Sequence, residues 1–308
     1  WEANDLSTKL ASAKASMTID GKQWGVPYTY YQWGIYYNKD AYKAAGVEVP
    51  TTWDGFVENC AKFQAAGIDC LTTGSKALWP IAGIFDYLNM RTNGFDYHMQ
   101  LLQGKASWES DETRATFANW RELIDMGGFL ENHQSYSWQE ALPFMVNGEA
   151  ASYLMGNFAV AAMRDGGLDD SKLDFYQFPV INPDVDFAED APTDTFHIAS
   201  GAQNMDAAKE FLRYVTSADV QTKINGGDAL GQLPVNANSS IDADKFLEQG
   251  FDMLSNNAGG GIMQFFDRDF DAEMASVGME GLQEFMVFPD NLDDILVRLE
   301  ETRARIYN

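Results

Sequence analysis

Two pairs of carboxylates stand close enough along the chain to share a reaction, Asp267 with Asp269 and Asp190 with Asp194. Pairs of this kind serve as acid and base in glycoside hydrolysis. The chain carries 46 Asp and Glu residues, however, so close carboxylates arise in it by chance. The aromatic residues offer a second kind of chemistry. Eight Trp, 13 Tyr and 20 Phe make up 13% of the chain, and several sit beside Gly, Asn and Asp in stretches that read as loops, where core packing alone does not explain them.

Other reactive constellations are missing. The three histidines, His98, His133 and His197, are scattered, so neighbours in sequence build no H-E-x-x-H or other metal cluster. There is no P-loop, no G-x-G-x-x-G and no G-x-S-x-G. No metal and no cofactor is expected. Cys60 and Cys70 are the only cysteines; they fit either a local disulfide formed in an oxidising compartment or two buried thiols.

The elements that must position these groups follow from pattern and punctuation. Residues 21–40 (GKQWGVPYTYYQWGIYYNKD) read as extended strands. Thr51 or Thr52 caps a helix whose apolar stripe is Trp53, Phe56, Val57 and Cys60, ended by Gly67. Strands are expected over 68–72, 149–155 and 174–179. Helices are expected over 113–126, 137–145, 206–215 and 292–306, with Ser217 capping a further short one. The segments 225–231 and 255–261 read as glycine-rich loops. Strands alternating with helices give an α/β class. At 308 residues the length suggests about two domains. The formal net charge of -25 repels phosphates, which argues against nucleic acid and anionic membrane surfaces as partners. No apolar run is long enough for a membrane-spanning helix, and Trp1–Leu10 lacks the pattern of a signal peptide.

Several motifs, in order, carry a resemblance. The run 21–40 followed by EVPTTWDGF at 48–56 resembles the bacterial extracellular solute-binding proteins of carbohydrate ABC importers, the superfamily that includes maltose-binding protein. FMVNGEA at 144–150 with YLMGNF at 153–158, AAKEFLRYVTSADV at 207–220 and GQLPVN at 231–236 resemble later stretches of the same family. The resemblance runs from about Asp20 to the C-terminus. It implies a two-lobed α/β periplasmic-binding-protein fold with a hinge, and a sugar held between lobes that close on it. It also implies a periplasmic or extracellular location, delivery to the membrane permease of an ABC importer, a monomer, and no catalysis. Members carry two or more βα units ahead of the first motif, so one lobe is expected to be nearly complete here and the other partial. The expected division is 1–32 and 196–248 in the partial lobe, and 33–195 and 249–308 in the other.

The same resemblance supplies candidate ligand contacts. Gly156, Asn157 and Phe158 stand where the family usually carries a stacking Trp. Asp194, Phe196 and His197 lie at the expected second crossing between lobes, and Tyr28, Tyr30 and Trp33 at the first; strand alternation puts Tyr28 and Tyr30 on one face and Trp33 on the other. Lys76 and Trp79 belong to a loop that approaches sugar in the family. Phe266, Asp267 and Arg268 follow a glycine-rich loop, and Gln232 lies in GQLPVN. The resemblance points to a sugar, with an α-glucoside as one option; a polyol or osmolyte is the alternative ligand, and glycoside hydrolysis the alternative activity.

Overall fold

A computed structural model describes residues 1–227, 229–241, 244–257 and 260–307. Asp228 of the expected 225–231 loop, Ala258 and Gly259 of the 255–261 loop, and residues 242–243 of the expected 196–248 segment lie outside these. The chain divides into two compact units. Unit 1 holds Trp1–Gln32, Gly156–Ala161 and Ala191–Asn256; unit 2 holds Trp33–Met155, Ala162–Asp190 and Asn257–Asn308.

In unit 1, strands β1 (Thr18–Ile19) and β2 (Lys22–Gln23) form a hairpin closed by Asp20-Gly21. Both turn residues have positive φ, 52° and 73°. That is the twist a two-residue hairpin needs and one that Asp-Gly adopts readily. The main sheet is antiparallel: β3 (Val26–Tyr30) lies between β9 (Thr193–Phe196) and β10 (Leu233–Pro234). Two apolar clusters flank it, one built on Leu6, Leu10, Val26 and Val235, the other on Leu233, Leu247 and Leu254.

In unit 2 the sheet order is β5 (Asp69–Thr72), β6 (Ala150–Gly156), β4 (Trp33–Asn38), β7 (Leu173–Tyr176). β5 and β6 run parallel, and β4 and β7 antiparallel. Every residue of β6 is buried, which is why AASYLMG shows no polar alternation. Strand β8 (Glu189–Asp190) pairs in parallel with β11 (Ile262–Met263). The helix Trp53–Ala65 starts on Thr52, whose side chain accepts the Gly55 N–H, and Ser137 with Glu140 forms a capping box on Trp138–Val146. Cys60 of the first helix is joined to Cys70 of β5 by a disulfide, Cα to Cα 4.9 Å.

The expected strands and amphipathic helices appear with ends shifted by up to three residues, but three long helices carry no expectation. Trp79–Asn93 is buried continuously from Pro80 to Arg91. A helix covered on all sides has no polar stripe to give it away. Lys245–Ser255 and Ala272–Val287 are the other two. In Met205–Val215 the apolar stripe is not core: only Val215 is buried, and Phe211 is 48% exposed. The Ser217 side chain makes no cap bond and its hydroxyl donates to the Tyr214 carbonyl instead.

The division also differs from the expected boundaries. Gly156–Ala161 belongs with unit 1, whereas 33–195 was expected in one lobe. It is held there by the Asn157 N–H donating to the Gln32 carbonyl at 3.1 Å and by the Phe158 ring meeting Tyr31 edge-on at 5.2 Å. The return to unit 1 falls at Ala191 rather than 196, and the last crossing follows Asn256 rather than 248. Motif order along a chain marks neighbourhoods, while packing sets the boundaries.

Candidate functional site

The sequence-derived candidates fall into two sets. Tyr28, Tyr30, Gly156, Asn157, Phe158, Asp194, Phe196, His197 and Gln232 lie in unit 1; Trp33, Lys76, Trp79, Phe266, Asp267 and Arg268 lie in unit 2.

In unit 2 an aromatic platform is built on the N-terminus of helix Trp79–Asn93. Leu78, at φ 67° and ψ −49°, sits at the centre of a γ-turn in which the Trp79 N–H donates to the Ala77 carbonyl at 2.8 Å. A non-glycine residue rarely takes this conformation. The segment before it is tied down on several sides. Ser75 Oγ lies 2.8 Å from His133 Nδ1, and Gln283 Nε2 donates to the Ser75 carbonyl and hydroxyl. Burial pushes the His133 imidazole down to about 4, so this bond is made by a neutral ring. The turn presents the half-buried Trp79 indole edge-on to Trp33, ring centres 5.9 Å apart, and Trp33 rests on Phe265 at 4.8 Å. Gly83 makes room for this group, since a Cβ there would come within 2.8 Å of the Trp33 ring. Trp33 itself is 2% exposed and serves as the support beneath Trp79. Lys76, Asp267 and Arg268 are exposed. Phe266 is not a surface aromatic: it is fully buried against Phe85, Trp108 and Phe270. The segment after the expected glycine-rich loop forms a short helix, Phe266–Asp269, which draws that ring inward.

In unit 1 the turn after β6 carries Asn157 and Phe158. Gly156 is required by close approach, because a Cβ would lie 2.4 Å from the Phe158 ring and 3.1 Å from Tyr31. Asn157 is fully buried, and neither its Oδ1 nor its Nδ2 has a hydrogen-bond partner. Gly231 packs close to the Asn157 carbonyl, 3.8 Å from its Cβ position, which brings Gln232 into the same neighbourhood. Tyr28 stacks at a tilt on Phe196, ring centres 4.5 Å apart, and Phe196 in turn meets Phe211. Asp194 is half-buried on β9.

Two expected contacts in unit 1 are used up inside it. Tyr30 packs against both apolar clusters, and burial pushes its phenol up to about 12. His197 spends both ring nitrogens on the protein. Nδ1 lies 2.8 Å from the Trp24 carbonyl, which only accepts, and Nε2 lies 2.8 Å from the Thr195 hydroxyl.

Sequence reasoning missed a buried ionic group in unit 2. Arg91 and Glu189 pair at 2.6 Å, and the Tyr87 hydroxyl lies 2.9 Å from both Glu189 and the Trp33 carbonyl. The backbone beneath Trp79 is thus anchored to a charged core. Asp86 lies 3.2 Å from His98 Nε2 and accepts the Phe266 N–H. The Asn89 side chain donates to His98 Nδ1, which leaves the ring proton on Nε2, facing Asp86. Asp190 is fully buried with no partner for either oxygen. Burial, followed by the neighbouring carboxylates, raises both Asp86 and Asp190 well above the usual carboxylate range. Of the candidate hydrolytic pairs, Asp190 is fully buried, and Asp269 Oδ2 accepts from the Gln264 N–H. Among the described residues, no group of three or more His, Cys, Asp or Glu is placed to hold a metal, and no helix is long and apolar enough to cross a membrane.

Known proteins share this architecture. A solved structure of the bacterial solute receptor AcbH, described as exclusive for β-D-galactopyranose, matches with a TM-score of 0.88 at 28% identity, covering 99% of this chain and 80% of that one. An uncharacterised ABC transporter extracellular-binding protein of Pyrococcus horikoshii is 25% identical over 289 residues, 93% of this chain and 65% of the relative. A multiple sugar-binding protein of Streptococcus mutans is 24% identical over 213 residues, 67% of this chain and 50% of the relative. The chain therefore spans between half and two thirds of the length of these two relatives. The profile of the bacterial extracellular solute-binding proteins matches residues 1–222, and the chain belongs to that family.

Proposed function

We propose that the protein is a sugar receptor that captures a mono- or disaccharide outside the cytoplasm and hands it to the membrane permease of an ABC importer. The observation that carries the reading is Trp79. Its half-buried indole is set by a strained γ-turn and braced by Trp33, which keeps a flat apolar ring in place without moving parts. Sugars offer C–H faces to such rings and hydroxyls to planar polar groups. The AcbH structure and the Streptococcus mutans relative, both sugar binders by name, support the substrate class. The contacts proposed are Trp79, Lys76, Asp267 and Arg268 from unit 2, and Tyr28, Asn157, Phe158, Asp194 and Gln232 from unit 1. Trp33, Gly156 and Phe196 shape and support them.

Calorimetry of Trp79→Ala against the sugar that the unaltered protein binds tests the reading. Loss of a stacked face is expected to weaken binding at least tenfold while the melting temperature moves by only a few degrees. Unchanged affinity would remove Trp79 from the site.

A further inference from the structure

Residues 263–269 of unit 2 are flanked by three carboxyls. Asp86, fully buried, accepts the Phe266 N–H at 3.0 Å and lies 3.2 Å from His98 Nε2. Asp269 accepts the Gln264 N–H at 2.9 Å. Asp190 stands opposite Met263 in the parallel pair of β8 with β11; it is fully buried, and neither of its oxygens has a hydrogen-bond partner. Little positive charge answers them. His98 is the one ionisable side chain buried on helix Phe95–Leu102, and burial lowers it to about 3, which leaves a neutral ring. Arg91 is committed to Glu189 and to the carbonyls of Phe178 and Ala188, and the Tyr87 hydroxyl to Glu189 and the Trp33 carbonyl. Arg268 is exposed on the short helix Phe266–Asp269 and acts on Asp267 and Asp269, while Asp267 adds negative charge toward Asp86. Helices Asp111–Asp125 and Ala272–Val287 pack on Trp79–Asn93, and their buried residues include no ionisable side chain.

We propose that Asp86, Asp190, Asp269 and His98 form a latch on residues 263–269, closed while the cluster keeps a proton and opened when that proton leaves. An ionised carboxylate without donors is costly out of water, whereas a neutral carboxyl tolerates such a place. With Asp190 neutral, Asp86 and Asp269 keep their hold on the Phe266 and Gln264 N–H groups. Loss of the proton sets a further buried charge against those two carboxylates, and moving the segment they hold relieves the repulsion. Burial, followed by the neighbouring carboxylates, raises Asp86 and Asp190 well above the usual carboxylate range. The latch therefore holds at low pH and weakens as pH rises through the folded-state values. The segment carries Phe265, which lies beneath Trp33, together with the proposed contacts Asp267 and Arg268. Sugar affinity accordingly falls as pH rises, a consequence that rests on the sugar-receptor reading above.

Hydrogen exchange read by mass spectrometry, with rates corrected for their intrinsic pH dependence, tests the latch. Between pH 5 and pH 9, protection of peptides covering 263–269 is expected to fall about tenfold or more in the unaltered protein, while helix Trp53–Ala65 keeps its protection. Asp190→Asn places a neutral side chain of the same shape there and is expected to hold protection at both pH values. If that variant does not fold, Asp269→Asn retains an acceptor for the Gln264 N–H, removes one charge and is expected to lessen the fall about threefold. Equal protection of the parent at pH 5 and pH 9, or the same fall in parent and variant, would overturn the latch. Calorimetry with galactose and raffinose at the same two pH values reads the consequence for binding. Affinity about tenfold weaker at pH 9 in the parent, and level in Asp190→Asn, is expected. Loss of protection with level affinity would overturn the coupling of the segment to the ligand and leave the receptor reading standing. Binding of neither sugar would count against the receptor reading, and exchange alone would then decide the latch.

Discussion

The guanidinium of Arg91 and the carboxylate of Glu189 meet at 2.6 Å with both side chains almost wholly out of solvent. Arg91 also donates to the carbonyls of Phe178 and Ala188 and lies 4.4 Å over the Phe187 ring. Removing one member strands the other as a buried charge. Arg91→Met is expected to cost about 3–5 kcal/mol in urea unfolding, and adding Glu189→Leu to recover most of that. A single variant within about 1 kcal/mol of the parent would show that the pair is not the anchor of β8.

The pH dependence of stability separates a second buried group. Asp190 is raised in the folded state by burial, so its contribution is present below the ordinary carboxylate range and is lost as pH rises toward its folded value. The histidines act oppositely. His98 is lowered to about 3 and His133 to about 4 by burial, so both favour the fold above an unperturbed pKa near 6.5 and lose that contribution as pH falls. Comparing Asp190→Asn with the parent isolates the carboxyl. The variant is expected to gain stability over the parent as pH is raised from 5 to 8, measured by chemical unfolding at each pH. An equal offset at both would mean that Asp190 does not hold its proton.

The disulfide can be checked covalently. The intact protein is expected to weigh two mass units less than the dithiol form, and neither cysteine to be alkylated without reductant. The bridge closes a short loop, with a sequence separation of 10. Reduction is therefore expected to cost about 3 kcal/mol by chain entropy. Alkylation of both thiols in unreduced protein would refute the bridge.

Much of this molecule is legible from its residues. Thr52 announces its cap because its side chain satisfies a local backbone need. The ordered motifs single out Asn157, Phe158 and Trp79 as candidate ligand contacts. Other features are not local. Helix Trp79–Asn93 is buried all round and has no stripe. Phe266 reads as a ligand contact until a four-residue helix turns it inward. His197 reads as a contact until Trp24, 173 residues away, claims its Nδ1. Leu78, whose positive φ precedes Trp79, bears no sequence signal; the bonds that hold the neighbouring Ser75 come from His133 and Gln283, far along the chain.

Close packing beneath Trp79 gives a further check. Gly83→Ala places a methyl group within 2.8 Å of the Trp33 ring and 3.2 Å of Phe265. The variant is expected to lose about 1–3 kcal/mol of stability and to alter the near-ultraviolet circular dichroism of the tryptophans. An unchanged spectrum and melting temperature would show that the platform yields freely.

The central claim is that this chain binds a sugar. Titration calorimetry against neutral mono- and oligosaccharides, polyols and amino acids, with the products analysed afterwards, tests it most directly. Saturable binding of a saccharide recovered intact is expected. Saturable binding of a polyol or amino acid with no saccharide bound, or steady release of monosaccharide from a bound disaccharide, would contradict it.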